Sequence, residues 1–229
     1  MKKIVLITGA SSGIGFSFSE SALKQNYTVI NLSRTAESSF LKKIKSYYAK
    51  NTDITRVDQI IEAKKWIVET LKIKKIDVLV NCAGTGYEKG LTAISENDYD
   101  KIFNLNVKGL IFTTKIFLPV IRKKSGIICN VSSIAGIKGF SGWSLYCASK
   151  YAVEGFSSSI RNELRKSGVR VAVVKPGSVD TPFYKHLPKS VKKDFIKPET
   201  IAGIILQIIE MPAEACAEDI FINNSVGDL

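Results

Sequence analysis

The sequence predicts an α/β fold, a three-layer, doubly wound architecture in which a mostly parallel seven-stranded sheet lies between helices. Short β-branched runs alternate with longer helical patterns along the chain, as expected where strands are joined by helical crossovers. A glycine-rich turn, Thr8-Gly9-Ala10-Ser11-Ser12-Gly13-Ile14-Gly15, follows the first apolar run and opens the first helical pattern. No internal repeat, low-complexity tract or linker breaks the alternation, and 229 residues with 45% hydrophobic content suit a single domain over residues 1–229.

The elements follow in order. Met1-Lys2-Lys3 before Ile4-Val5-Leu6-Ile7 has the charge order of a signal peptide, but the apolar run ends at once in the glycine turn. It therefore reads as a first buried strand, Ile4–Thr8. Further strands are expected near Thr28–Leu32, Tyr47–Asn51, Val78–Asn81, Ile127–Val131, Val171–Lys175 and Ile220–Asn223. Helices are expected near Ile14–Gln25, Arg56–Leu71, Asn97–Lys123, Tyr146–Lys166 and Pro198–Glu210. Only about a dozen residues separate the second strand from the third, so the crossover helix near Glu37–Lys45 has to be short.

Composition narrows the functions available. The four cysteines, at 82, 129, 147 and 216, have no metal-ligand spacing, and a single histidine, His186, leaves little room for zinc or Ser–His chemistry. They read as reduced thiols in a soluble, cytoplasmic protein with no metal site, since no stretch approaches the ~20 apolar residues of a membrane span. The net charge of +12 is spread over short lysine groups at helix ends and loops. That pattern resembles a solvated surface and predicts no specific nucleic-acid partner, although the positive field helps attract an anionic ligand.

Two constellations carry the chemistry. In the turn after the first strand, glycines permit a tight bend and close backbone approach, while the helix start offers unpaired N–H groups to a pyrophosphate. Tyr146 and Lys150 stand four apart on a predicted helix, so a phenol and an ammonium share one face and the positive charge favours phenolate. Such a phenol exchanges protons with a carbonyl or an alcohol. Chance alone supplies about one Tyr-x-x-x-Lys pair in a chain of this composition, so the pair draws its weight from the glycine turn and from Ser133, 13 residues before the tyrosine.

Taken in order, these motifs and several others resemble the short-chain dehydrogenase/reductase family, in its single-domain branch. They are the Thr8–Gly15 turn, Asp53 after the third strand, Asn81-Cys82-Ala83-Gly84 after the fourth, Asn106 in Asn-Leu-Asn-Val, Ser133 in Val-Ser-Ser-Ile-Ala-Gly, Tyr146-Cys147-Ala148-Ser149-Lys150, and Pro176-Gly177-Ser178-Val179-Asp180-Thr181. They span roughly residues 3 to 181. The resemblance implies that Ser133 hydrogen-bonds the substrate oxygen and that Tyr146 gives or takes its proton. Lys150 lowers the tyrosine's pKa and holds the nicotinamide ribose, while Asn106 anchors a water linking Lys150 to solvent. It implies a cofactor surface from Gly9, Ser11, Ser12, Gly13, Ile14, Gly15, Ser33, Arg34, Asp53, Ile54, Asn81, Ala83, Gly84, Tyr146, Lys150, Pro176 and Gly177, with Val179 and Thr181 at the carboxamide. Asn81 equally fits a tie between neighbouring strands, and Asp53 a helix N-cap before Thr55.

Arg34 points to one dinucleotide. An acidic residue after the second strand binds both ribose hydroxyls of NAD, whereas a 2′-phosphate needs a cation. Asn31-Leu32-Ser33-Arg34 supplies no carboxylate and one arginine, which favours NADP(H). The chain is thus expected to be an NADP(H)-dependent oxidoreductase interconverting a carbonyl and an alcohol; the alternative is a dinucleotide-binding regulator without turnover. In the family the segment near 182–197 forms a lid over the substrate, and its shortness here suggests a small or partly exposed pocket. Phe140, Trp143, Phe183 and Tyr184 fall in segments bordering that pocket, and His186 in the lid, though each aromatic also fits the core. The resemblance also implies a homodimer or homotetramer built on the two long helices.

Overall fold

The computed structural model describes residues 2–227; Met1 of the basic start and Asp228 and Leu229 of the tail lie outside the described residues. Strands β1 (Ile4–Thr8), β2 (Thr28–Ser33), β3 (Tyr47–Asn51), β4 (Val78–Asn81), β5 (Ile127–Val131), β6 (Arg170–Pro176) and β7 (Asp219–Ile222) form one sheet of order β3-β2-β1-β4-β5-β6-β7. Every pairing is parallel. The order reverses between β1 and β4, so the crevice of a doubly wound sheet opens beyond the C-terminal ends of those strands.

Alternation along each strand builds two cores. Val5, Ile7, Val29 and Val80 face α1 (Gly13–Lys24) and α6 (Pro198–Glu210), packing on Phe18, Ala22, Ile201 and Ile205. Leu6, Ile30, Leu79 and Ile128 face α2 (Val57–Lys65), α4 (Leu110–Phe117) and α5 (Ser144–Leu164), packing on Ile60, Phe117 and Ile160. Each fully buried side chain of this size contributes about 1.5–3 kcal/mol. α1 ends at Asn26, whose positive φ of 62° lets its N–H reach Leu23 O at 2.9 Å, with Tyr27 N–H reaching Ala22 O at 3.0 Å.

Three helices depart from the expected pattern, each for a local reason. The stretch expected as one helix over Asn97–Lys123 is α3 (Glu96–Phe103), a π-helical turn at Asn104–Gly109, then α4 and a 3₁₀ turn at Leu118–Val120. Pro119 has no N–H to continue the ladder, and Ile121 turns extended to bridge Ile76. The helix expected from Arg56 to Leu71 is α2 followed by a second π turn, Trp66–Thr70. The crossover near Glu37–Lys45 is two 3₁₀ turns, Ala36–Ser38 and Phe40–Lys43, because so short a connection leaves no length for an α-helix.

Candidate active site

A cleft of about 920 Å³ runs over the C-terminal ends of β1, β2, β4, β5 and β6. Its floor at the β1 end is backbone. Gly9 has φ +76°, and a Cβ there would sit 2.7 Å from Ala83 Cα; at Gly15 it would meet Gly9 O at 2.6 Å. Only glycine lets β1, the turn and β4 approach so closely. Thr8 Oγ1 accepts hydrogen bonds from the N–H groups of Cys82 (3.3 Å) and Ala83 (3.4 Å), joining the turn to the β4 end. At the start of α1, Ser12 makes no side-chain cap and the first turn holds no acidic residue, so its N–H groups suit an anion. These features fit the pyrophosphate of a dinucleotide.

Beyond β2 the cleft is lined by Ser33, Arg34 and Thr35. Ser11 Oγ and Ser33 Oγ lie 2.6 Å apart, and Thr35 Oγ1 donates to Ser11 Oγ at 3.0 Å, gathering three hydroxyls beside the exposed Arg34. Asp53 is the only acidic lining residue among those described. Its Oδ1 accepts from Thr55 N–H (3.0 Å) and Thr55 Oγ1 (2.8 Å), an Asx turn ahead of α2; the N-cap itself is Arg56.

At the other end, β5 delivers Ser133 and α5 delivers Tyr146 and Lys150. Ser133 hydrogen-bonds Tyr146, and its Oγ also accepts from Ala135 N–H at 3.1 Å. Lys150 is buried, its Nζ donating to Val131 O at 3.0 Å and lying 5.7 Å from the Tyr146 ring centre. Burial pulls the lysine down from 10.5 to about 8, opposed by Cys82 and Glu154. Burial also raises the Tyr146 phenol well above the ordinary tyrosine value, with only the Ser133 hydrogen bond pulling it down. In the protein alone the phenol is thus held above its ordinary value, and the Lys150 Nζ turns to a backbone carbonyl.

Asn106 sits in the π turn with both hydrogens of its side-chain amide engaged. Its Oδ1 accepts from Thr85 N–H (2.8 Å), and its Nδ2 donates to Thr85 O (2.8 Å) and Ser149 Oγ (2.9 Å). The π turn thereby pins the segment after β4 onto α5 at Ser149, the residue before Lys150. Gly84 lies between, where a Cβ would be 3.4 Å from Asn106 Oδ1 and 3.6 Å from Lys150 Nζ. Asn106 thus stands beside Lys150 without lining the cleft, its two Nδ2 hydrogens engaged and one Oδ1 lone pair open to a further donor.

A smaller cavity of about 220 Å³ opens from the cleft at Ser133 and Tyr146. Trp143, Tyr146, Phe183, Tyr184 and Phe195 form a run of ring contacts with centroids 4.9–6.1 Å apart. Tyr184 is additionally raised by burial. All the dinucleotide-facing residues expected from sequence line the cleft except Asn81. Its Nδ2 donates to Thr114 Oγ1 (3.0 Å) and Asn130 Oδ1 (2.8 Å), tying β4 to α4 and β5 inside the fold. Sequence reasoning missed Thr35, Thr52, Gly86, Tyr87, Leu105 and Lys185. Gly86 carried the one usable signal, a second glycine two residues after Gly84; a Cβ there would press into the Tyr146 ring, with Cγ at 2.9 Å.

Comparisons with known proteins identify the family of this fold. The chain is 35% identical over 220 residues to 3-oxoacyl-(acyl-carrier-protein) reductase FabG of Thermotoga maritima, covering 89% of each chain. It is 32% identical over 245 residues to the sepiapterin reductase of Chlorobaculum tepidum, covering 100% of this chain and 99% of that one. Among solved structures, ElxO with NADP bound superposes with a TM-score of 0.85 at 27% identity over 97% of this chain and 98% of that one. The serine dehydrogenase of Escherichia coli gives 0.82 at 26% over 96% of each. A family model described as short chain dehydrogenase matches residues 3–192, and the chain belongs to the short-chain dehydrogenase/reductase family, NAD(P)-dependent oxidoreductases acting on carbonyl or alcohol groups of small molecules.

Proposed function

We propose that this protein is an NADP(H)-dependent carbonyl reductase in which Tyr146 is the proton donor. The observation that carries the reading is the hydrogen-bonded Ser133–Tyr146 pair, with Lys150 one turn on, at the junction of the dinucleotide cleft and the small cavity. A bound nicotinamide supplies the hydride to the carbonyl carbon. The chain's residues handle the other end of the bond. Ser133 and Tyr146 hold the carbonyl oxygen, and as the C=O π bond opens the Tyr146 phenol gives that oxygen its proton. Burial keeps the phenol protonated through the neutral range, the form a reductase needs. Lys150 then stabilises the phenolate and is placed to hold the nicotinamide ribose, with Asn106 as a positioning residue through Thr85 and Ser149.

The preference for NADP(H) rests on Arg34 and the Ser11, Ser33 and Thr35 hydroxyls, which offer a cation and donors to a 2′-phosphate. The only acidic side chain lining the cleft, among the described residues, is Asp53, already bonded to Thr55. Residues 1–229 act as one catalytic unit, with the two 3₁₀ turns at Pro182–Tyr184 and Lys192–Asp194 in the lid. Exposed Tyr99 on α3 and Tyr151 on α5, each 48% accessible, suit a homodimer or homotetramer through those helices. Four free cysteines suit a reducing setting such as the cytoplasm, and no helix among the described residues is long and apolar enough to cross a membrane. Titration with NADPH and NADH, followed by nucleotide oxidation with a panel of ketones and aldehydes, tests the reading. Tighter NADPH binding with turnover is expected; absence of binding to either nucleotide would overturn it.

A further inference from the structure

The cavity beside Ser133 and Tyr146 has a chemical character of its own. Its walls are Ile134, Ala135, Phe140, Trp143, Phe195 and the Tyr184 ring, whose phenol burial keeps neutral. No lysine or arginine is among its described lining residues, on a chain whose net charge is +12. The one carboxylate is Glu88, at the rim, and His186 is the other ionisable side chain besides the two phenols.

Local backbone holds Glu88 there. Lys89 N–H donates to Gly142 O at 2.6 Å, laying the segment after β4 along the turn that ends at Trp143. Gly142 has φ +77°, and a Cβ on it would sit 2.8 Å from Glu88 Cγ and 3.1 Å from Glu88 Oε1. The glycine therefore opens the path by which the carboxylate lies over the aromatic turn. An anion entering the cavity would lose its water, find no lysine or arginine among the described lining residues, and pass a carboxylate. A neutral group loses nothing comparable, and an ammonium or amide N–H gains Glu88 at the rim. The volume, about 220 Å³, equals roughly seven water molecules at ~30 Å³ each. It sits below the ~300 Å³ at which drug-sized ligand sites begin.

We infer that the substrate is a compact ketone or aldehyde with an apolar or aromatic flank, neutral or amine-bearing, and that carbonyl compounds with a carboxylate or phosphate on that flank are rejected. This deepens the reductase reading and rests on it for the site's chemistry, but binding tests it separately. Acetophenone, 4-acetylbenzylamine, 4-acetylbenzoate and 2-acetylanthracene are titrated into the NADPH-loaded protein while Trp143 emission is followed. Trp143→Phe, which leaves only Trp66, identifies the signal. Acetophenone and the ammonium compound are expected to quench, with 4-acetylbenzoate about thirtyfold to a hundredfold weaker and 2-acetylanthracene weaker as well. In Glu88→Gln the preference for ammonium over carboxylate is expected to shrink about threefold to tenfold, the range for a partly solvated charge. Equal binding of carboxylate and neutral ketone, no quenching by acetophenone, unhindered binding of the three-ring ketone, or an unchanged ratio in Glu88→Gln would overturn the inference. Discrimination without nucleotide oxidation would leave it standing and reject the reductase reading instead.

Discussion

The two ends of the cleft are built by different means. The dinucleotide end is main chain: glycines at 9 and 15 bring the β1 turn, the β4 end and α1 into contact, Gly13 leaves room for Thr181 after β6, and Thr8 laces the turn to residues 82 and 83. The substrate end is side chains: an aromatic run from Trp143 to Phe195, closed by the 3₁₀ turns after Thr181. A backbone cradle reads a group common to all dinucleotides and tolerates little change, whereas a wall of rings is easily re-shaped for another substrate. Tyr146 belongs to both, since its ring is part of the aromatic run and its hydroxyl is bonded to Ser133.

Substitutions aimed at one end should therefore leave the other largely intact. Among substitutions that leave Ser133, Tyr146 and Lys150 in place, the largest effect is expected from Gly86→Ala, whose added methyl meets the Tyr146 ring and must displace it. Turnover should fall about a hundredfold, near the lower end of what acid–base placement contributes, while NADPH affinity changes far less. Equal losses in both would mean that the two ends are not separable. Gly9→Ala acts at the opposite end, combining a positive φ with contact at 2.7 Å to Ala83. It should cost about 2–3 kcal/mol of stability, visible as a lower Tm, and weaken both nucleotides alike.

Much of the first end was legible and little of the second. Short, continuous β-branched runs located most of the strands, because a parallel strand buried on both faces has few polar positions to interrupt it. β7, partly exposed at the sheet edge, was displaced by one residue. The glycine turn, Ser133, Tyr146 and Lys150 were legible because together, in that order, they resemble one family's motifs, where no single spacing would have sufficed. The π turn at Asn104–Gly109 was not, as it depends on Asn106 finding Thr85 from a distant segment, nor was the internal role of Asn81 separable from a cofactor contact. Glu88 and Phe195 carry no local signature; they meet the site only through tertiary packing.

Cofactor affinity and stability sharpen the contrast. Arg34→Ala should weaken NADPH about tenfold, the loss of one charge-assisted contact, and leave NADH nearly unchanged; equal weakening of both would remove the basis for the cofactor preference. Lys150→Met should stabilise the protein near neutral pH by about 1–2 kcal/mol while abolishing turnover, because burial disfavours the ammonium. The folded-state value near 8 lies below the ordinary 10.5, so the unfolded chain binds more protons between them. The gain in the variant is therefore full below about pH 8 and fades toward pH 10.5, a trend that denaturant titrations across that range would check.

The central claim is that Tyr146 supplies the transferred proton while the dinucleotide is held elsewhere. Tyr146→Phe keeps the ring in its aromatic contacts and removes only the hydroxyl and its bond to Ser133. NADPH binding by fluorescence and single-turnover oxidation of the same preparation should show affinity within about twofold of the parent and a rate lower by about 10²–10⁴-fold. A Tyr146→Phe protein that binds NADPH and reduces its ketone at the parent rate would contradict the account.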